Sequence, residues 1–270
     1  MEGQQGHSEA IGIFDSGVGG LTVFRRIAER LPFESILYLG DTARVPYGTK
    51  SADTVIRYAR GCARILMERG IKILVVACNT ASSCALETLQ EELDLPVIGV
   101  IEPGAAAAVR KTRNKKIGVI GTAGTIDSEA YPLAIRGIDP QMQVFCKACP
   151  LFVPLVEEGW TDGEVVREIA RVYLAGMRDR GVDTLVLGCT HYPLLRDTIA
   201  GAMDPGVALV DSAEATAEAV AEVLSSMHMS AAEAQQPGYR FLVSDSPSSF
   251  AAVGRRFLGR DVGDVEWVDF

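Results

Sequence analysis

The chain has 270 residues, 48% of them hydrophobic, and a formal charge of −9, which suits one large or two medium domains with a full core. The acidic balance and the lack of a basic stripe argue against nucleic acid as a partner, but backbone N–H groups can still hold a small anionic molecule. No apolar run approaches the ~18 to 20 residues of a membrane span, and residues 1–10 lack the regions of a signal peptide. Six cysteines in such a chain read as reduced thiols of a cytoplasmic protein.

A short flexible lead, residues 1–10, precedes a predicted strand at 11–14. Asp15, Ser16, Gly17, Gly19 and Gly20 make a glycine-rich turn into a helix over 21–31. The turn lacks the G-x-G-x-x-G spacing of a dinucleotide loop, and Asp41, the nearest acidic residue, opens a loop instead of ending a strand. Its glycines still let N–H groups approach a ligand. A strand at 36–39 runs into a long loop, 40–48, carrying Pro46, Tyr47 and Gly48, in the manner of binding loops. Ser51 is placed to cap a helix ending near 69. A strand at 73–77 leads to Cys78, a helix spans 82–93, and a strand spans 97–100. Helix is expected again from 105 to 110, after Pro103.

The charged run 111–116 is a crossing point into a second half. A strand at 117–120 is followed by a loop with Thr122 and Thr125, then one helix to about 136. A strand at 144–146 precedes an irregular stretch, 149–159, that contains Glu157. Thr161 and Glu164 have capping-box spacing for a helix reaching 180. A second cysteine strand ends at Cys189, with Thr190 and His191 after it. Helix is expected over 193–203, strand over 207–210, helix over 211–229, linker over 230–238, strand over 239–244 and helix over 247–258. The last 60 residues have no counterpart in the second half and are assigned back to the first. The division is 1–101 plus 212–270, a discontinuous first domain, and 102–211, the second.

The two cysteine strands are copies in pattern. Each reads Arg-Gly, an apolar run, a small residue, Cys and polar residues, and in each the Gly-to-Cys separation is eight, from Gly70 to Cys78 and from Gly181 to Cys189. Such runs fit strands buried on both faces of a parallel sheet, which puts each cysteine at the carboxyl edge where open α/β sheets bind ligands. The strands opening the halves, at 11–14 and 117–120, also resemble each other. Two similar halves facing one another bring two thiols to one cleft.

Free cysteine usually fills core space, the reading given to Cys62 and Cys84. Cys146 and Cys149 do not open a helix as thioredoxin-like pairs do. With Cys189 and His191 they have zinc-ligand types but lack a second tight pair, so no metal site is expected. Cys78 and Cys189 differ, since each is expected where a strand meets a helix N-terminus, a setting that favours the thiolate. Asp15 and Glu157 are carboxylates in reach. A lone Cys with His suggests acyl transfer, so a Cys–His hydrolase using Cys189 and His191 is one reading, and a binding protein for a small dicarboxylic acid another. Two matched thiols instead suit racemisation, in which one base works on each face of Cα.

The motifs GIFDSGVGGLTV, GDTARVPYG, VVACNTAS, ACPLFVPLVEEG and LVLGCTHYPLL make the chain resemble the glutamate racemases of the aspartate/glutamate racemase superfamily, from residue 11 to about 258. The resemblance implies two similar parallel-sheet α/β domains related by a pseudo-twofold axis, with the active site in the interdomain cleft. It implies Cys78 and Cys189 as paired bases, acting on D- and L-glutamate respectively, and Asp15, Glu157 and His191 as groups that tune them and shuttle protons. Substrate contacts are implied for Asp15, Ser16, Pro46, Tyr47, Gly48, Asn79, Thr80, Thr122, Thr125, Thr190 and His191. It further implies no cofactor, a homodimer, and supply of D-glutamate for peptidoglycan.

Overall fold

The computed structural model describes residues 10–233 and 236–269. The predicted lead therefore lies, save Ala10, outside the described residues. In chain order the elements are β1 (Ala10–Asp15), α1 (Leu21–Arg30), β2 (Ile36–Gly40), α2 (Ala52–Met67), β3 (Ile71–Val76), α3 (Asn79–Glu92), β4 (Val97–Gly99) and α4 (Ile101–Lys111). There follow β5 (Lys116–Gly121), α5 (Ala123–Asp127), α6 (Ala130–Ile138), β6 (Gln143–Ala148), α7 (Phe152–Glu157), α8 (Glu164–Asp179), β7 (Thr184–Gly188), α9 (Arg196–Ala202) and β8 (Ala208–Asp211). The chain closes with α10 (Ser212–Ser226), β9 (Tyr239–Val243), α11 (Pro247–Leu258) and β10 (Val265–Trp267). Short 3-10 turns occupy Tyr47–Thr49 and Tyr192–Leu195.

Two wholly parallel sheets result. One has the order β10-β9-β2-β1-β3-β4, the other β6-β5-β7-β8. The run β2-β1-β3-β4 has the same order as β6-β5-β7-β8, so the sequence echo is also an echo of topology. In each, the strand order reverses beside the opening strand, the switch point at which a crevice forms at the carboxyl edge. Cys78 follows β3 at one switch point and Cys189 follows β7 at the other. The matched glycines have a shared reason as well. Gly70 and Gly181 follow α2 and α8 with φ of 76° and 66°, the left-handed turn that ends a helix and starts the next strand without a Cβ penalty.

The central strands are buried on both faces, as their unbroken Val/Ile/Leu runs require. One apolar cluster runs from Ile11, Leu21 and Phe24 through Phe152, Leu187 and Tyr192, joining the two sheets. Phe24 stacks edge-on or tilted against Tyr38, Tyr239 and Phe241, which docks β9 against the N-terminal strands. The segment after α10 is tied down by a buried ion pair. Lys72 Nζ lies 2.7 Å from Glu34 Oε2 and donates to the Met229 carbonyl, while Ala231 N donates to Glu34 Oε1.

Several sequence expectations are corrected. The capping box at Thr161 and Glu164 does not form: Gly163 is the N-cap, no side chain caps α8, and Asp162 is engaged by Arg167. The single helix expected after Thr125 breaks into α5 and α6, because Ser128 bonds back to the Thr125 carbonyl and Glu129 turns left-handed. The helix expected from 105 begins at Ile101, with Pro103 accommodated in its first turn. The stretch 149–159 is not irregular but contains α7. The helix expected over 193–203 begins as a 3-10 turn, and β10 had no counterpart in the sequence reading.

Candidate active site

One enclosed cavity is lined from both carboxyl edges. Ser16 contributes from the turn after β1, residues 45–48 from the loop after β2, and Cys78, Asn79 and Thr80 from the end of β3. From the other sheet come Thr122, Thr125, Gly188, Cys189, Thr190 and His191. Its volume is about 30 Å³. Two predicted site residues do not line it. Asp15 is fully buried behind the cavity wall, and Glu157 lies beyond His191.

Each sulfur meets a different environment. Cys78 caps α3 and accepts from Ala81 N at 3.5 Å. Burial, then the Asp15 charge, push its thiol up to about 12, against the Ala81 N–H and the Ser16 hydroxyl. The expected favouring of the thiolate is therefore reversed at Cys78, because desolvation outweighs one N–H donor. Cys189 is followed by a 3-10 turn and not by an α-helix N-terminus. Its sulfur lies 3.9 Å from His191 Nδ1, and His191 Nε2 lies 3.0 Å from Glu157 Oε1. Burial works against charge on His191, yet the bonds and charges of Cys189 and Glu157 carry it up to about 10, so it holds its proton at neutral pH. Glu157 is anchored in turn by Arg256, whose guanidinium donates to its backbone carbonyl.

Asp15 joins the halves. It accepts from Gly17 N at 3.0 Å and from Thr190 Oγ1 at 3.4 Å. Burial raises its pKa, while the His191 charge and the Gly20 and Gly17 N–H groups oppose that rise. The glycine turn lets this contact form: a Cβ on Gly19 would overlap Thr190 Oγ1 and His191 Nδ1. Across the cavity, a Cβ on Gly48 would sit 2.6 Å from Thr122 Cβ. Between these seams three hydroxyls close a triangle, with Thr80 Oγ1 2.9 Å from Thr122 Oγ1 and 3.2 Å from Thr125 Oγ1, and those two 3.1 Å apart.

Tyr47 lines the cavity, but its phenol turns away from it. The hydroxyl donates to buried Asp41 Oδ2 at 2.5 Å, and Ser244 Oγ donates to Asp41 Oδ1 at 2.8 Å. Asp41 was considered in the sequence only as a ribose ligand. Its role as the post holding the 45–48 loop depends on Ser244, two hundred residues away in sequence, and no local pattern announces it. Cys62 is buried within α2 and Cys84 half-buried within α3, while Cys146 is exposed on β6 and Cys149 buried. No helix among the described residues is long and apolar enough to cross a membrane.

The chain's likeness to known proteins agrees with this geometry. Residues 11–220 match the model of the Asp/Glu/Hydantoin racemase family. A glutamate racemase from Geobacter metallireducens is 58% identical over 257 residues, 95% of each chain. The crystal structure of a glutamate racemase isoform from Bacillus anthracis superposes with a TM-score of 0.94 at 42% identity, covering 98% of this chain and 99% of that one. One from Francisella tularensis, solved in complex with D-glutamate, gives 0.91 at 38% identity over 97% and 98%. With two parallel α/β sheets in the same arrangement and so large a share of both sequence and fold in common, the chain belongs to the Asp/Glu/hydantoin racemase family, among its glutamate racemases.

Proposed function

We propose that this protein racemises glutamate by a two-base transfer at Cα, with no cofactor, and that Cys78 and Cys189 are the bases. The observation that carries the reading is that the two sheets share one strand order and each delivers a cysteine, from its own switch point, to the same cavity. In this reading one thiolate removes the Cα proton and the opposite thiol returns a proton to the other face. Each turnover leaves the thiol protons exchanged between faces, and the reverse reaction or the neighbouring relays restore them. His191 passes a proton between Cys189 and Glu157, while Asp15 stands against Cys78. Ser16, Tyr47 and Gly48 of the loop that Pro46 shapes, and Thr80, Thr122, Thr125 and Thr190 supply donors for the two carboxylates. Asn79 supplies an amide.

The assignment of Cys78 to D-glutamate and Cys189 to L-glutamate follows the family. So do the homodimer, the cytoplasmic location and the supply of D-glutamate for peptidoglycan. The division into 1–101 plus 212–270 and 102–211 belongs to the same reading. It is supported by the residues each sheet draws on and by the packing of α10 against α1.

The test is racemisation of L-glutamate by the pure protein in D₂O, with reductant, a metal chelator and no added cofactor. Wild type should place deuterium at Cα of the product enantiomer. Cys78→Ser and Cys189→Ser should each abolish racemisation, yet each should still eliminate chloride from one enantiomer only of a β-chloro analogue, because one thiol remains. A Cys–His hydrolase would leave Cys78→Ser near wild type, and undiminished racemisation by that variant ends the two-base reading.

A further inference from the structure

Asn79 stands beside Cys78, is 3% exposed, and lines the cavity. Its amide is used on one side only. Oδ1 accepts from Tyr131 Oη at 2.8 Å, whereas Nδ2 is buried with no hydrogen-bond partner among the described residues. A buried, unpaired donor is costly unless something else satisfies it. An amide can also turn over and exchange its oxygen and nitrogen, so whatever fixes Oδ1 decides where the N–H points.

Tyr131 lies on α6, in the other half of the chain, and is 1% exposed. Its ring fits a slot that two glycines leave open. A Cβ on Gly104 would lie 3.2 Å from Tyr131 Oη, and one on Gly188 would lie 3.1 Å from Cε2. Ser212, at the start of α10, flanks the same slot: a Cβ on Gly104 would lie 3.1 Å from its Cβ. An amide oxygen only accepts, so the phenol's proton goes to Asn79 Oδ1. That bond leaves Nδ2 as the amide's unengaged donor, beside the cavity that Asn79 lines.

We infer that Tyr131 is a positioning residue for substrate: by holding Asn79 Oδ1 it aims the Asn79 amide N–H at a carboxylate of the bound amino acid. The inference rests on the glutamate racemase reading above. It acts across the two halves, because Asn79 and Tyr131 come from elements on opposite sides of the crossing point at 111–116.

Tyr131→Phe removes one hydroxyl and keeps the ring. In the full-length protein the KM for both L- and D-glutamate should rise about 10-fold, the loss of one hydrogen bond to a charged group, while kcat moves by less than about 3-fold. That pattern means loss of binding shared by ground and transition states. In an Asn79→Ala background the same substitution should change nothing further. An unmoved KM, additivity with Asn79→Ala, or a fall of kcat in one direction only would overturn the inference, the last because it would put the phenol's action on a thiol. If the Phe variant does not fold, Asn79→Ala alone should raise KM for both enantiomers about 10-fold; an unchanged KM there also overturns it. Wild type that racemises glutamate alongside an unmoved Tyr131→Phe defeats this inference alone, whereas wild type that does not act on glutamate defeats the racemase reading with it.

Discussion

Cys78 and Cys189 occupy matched strand ends but face opposite charges. Asp15 stands against the first, and an imidazolium held by Glu157 lies 3.9 Å from the second. In the two-base reading proposed above, a repeated scaffold thus holds two unlike proton-transfer settings. Replacing either carboxylate should disturb one face more than the other. Asp15→Asn and Glu157→Gln are expected to lower turnover by ~10² to 10⁴-fold, the usual range for a positioned proton-transfer group, and by unequal amounts in the two directions. Enantiomers have equal free energy, so kcat/KM stays the same from either side in any variant. The bias must therefore be read in kcat and KM separately, by polarimetry started from each enantiomer. Small and equal effects in both directions would reduce the carboxylates to structural groups.

At the scale of elements, the seam between the halves is made where side chains are missing. Gly19 meets Thr190 and His191, and Gly48 meets Thr122. Gly19→Ala adds a methyl where two groups already stand, and the halves must separate to admit it. A displacement of about 1 Å near reacting groups can reduce activity ~10²-fold. Steady-state kinetics should show a loss of that order, and activity near wild type would mean that the seam yields. These glycines were legible in the sequence as a turn that brings backbone close to a ligand; the structure has them admit a neighbouring threonine and histidine as well. The cysteine strands were legible too, because a strand buried on both faces must be an unbroken apolar run. What was not legible depended on distant partners. The capping box failed because Gly163 took the cap, and α7 was hidden by Pro150 just before it and Pro154 within its first turn. Tyr131 sits in an ordinary apolar helix, and only the fold brings it to Asn79.

At the scale of the whole molecule, a cavity of about 30 Å³ has room for roughly one water, and an amino dicarboxylate is several times larger. If glutamate binds there, as proposed, the halves must part to admit it and close again around it. A ligand held by both halves stabilises their association: at a concentration of about 100 Kd the gain is ~2.7 kcal/mol, or several degrees in Tm for a chain of this size. Calorimetry with L- or D-glutamate should show that rise, and its absence at saturating substrate would argue against a site shared by both halves. The order of the strands has one more consequence, in the timing of synthesis. The four-stranded sheet is complete once residue 211 has been made, but β9 and β10 of the other sheet are translated only after it. Ser244, which holds Asp41 and through it the 45–48 loop, arrives with them. A nascent chain on the ribosome can thus fold its middle early, yet it cannot finish the wall of its cavity until Ser244 has been made, so a chain terminated before that residue should carry both cysteines and have no activity.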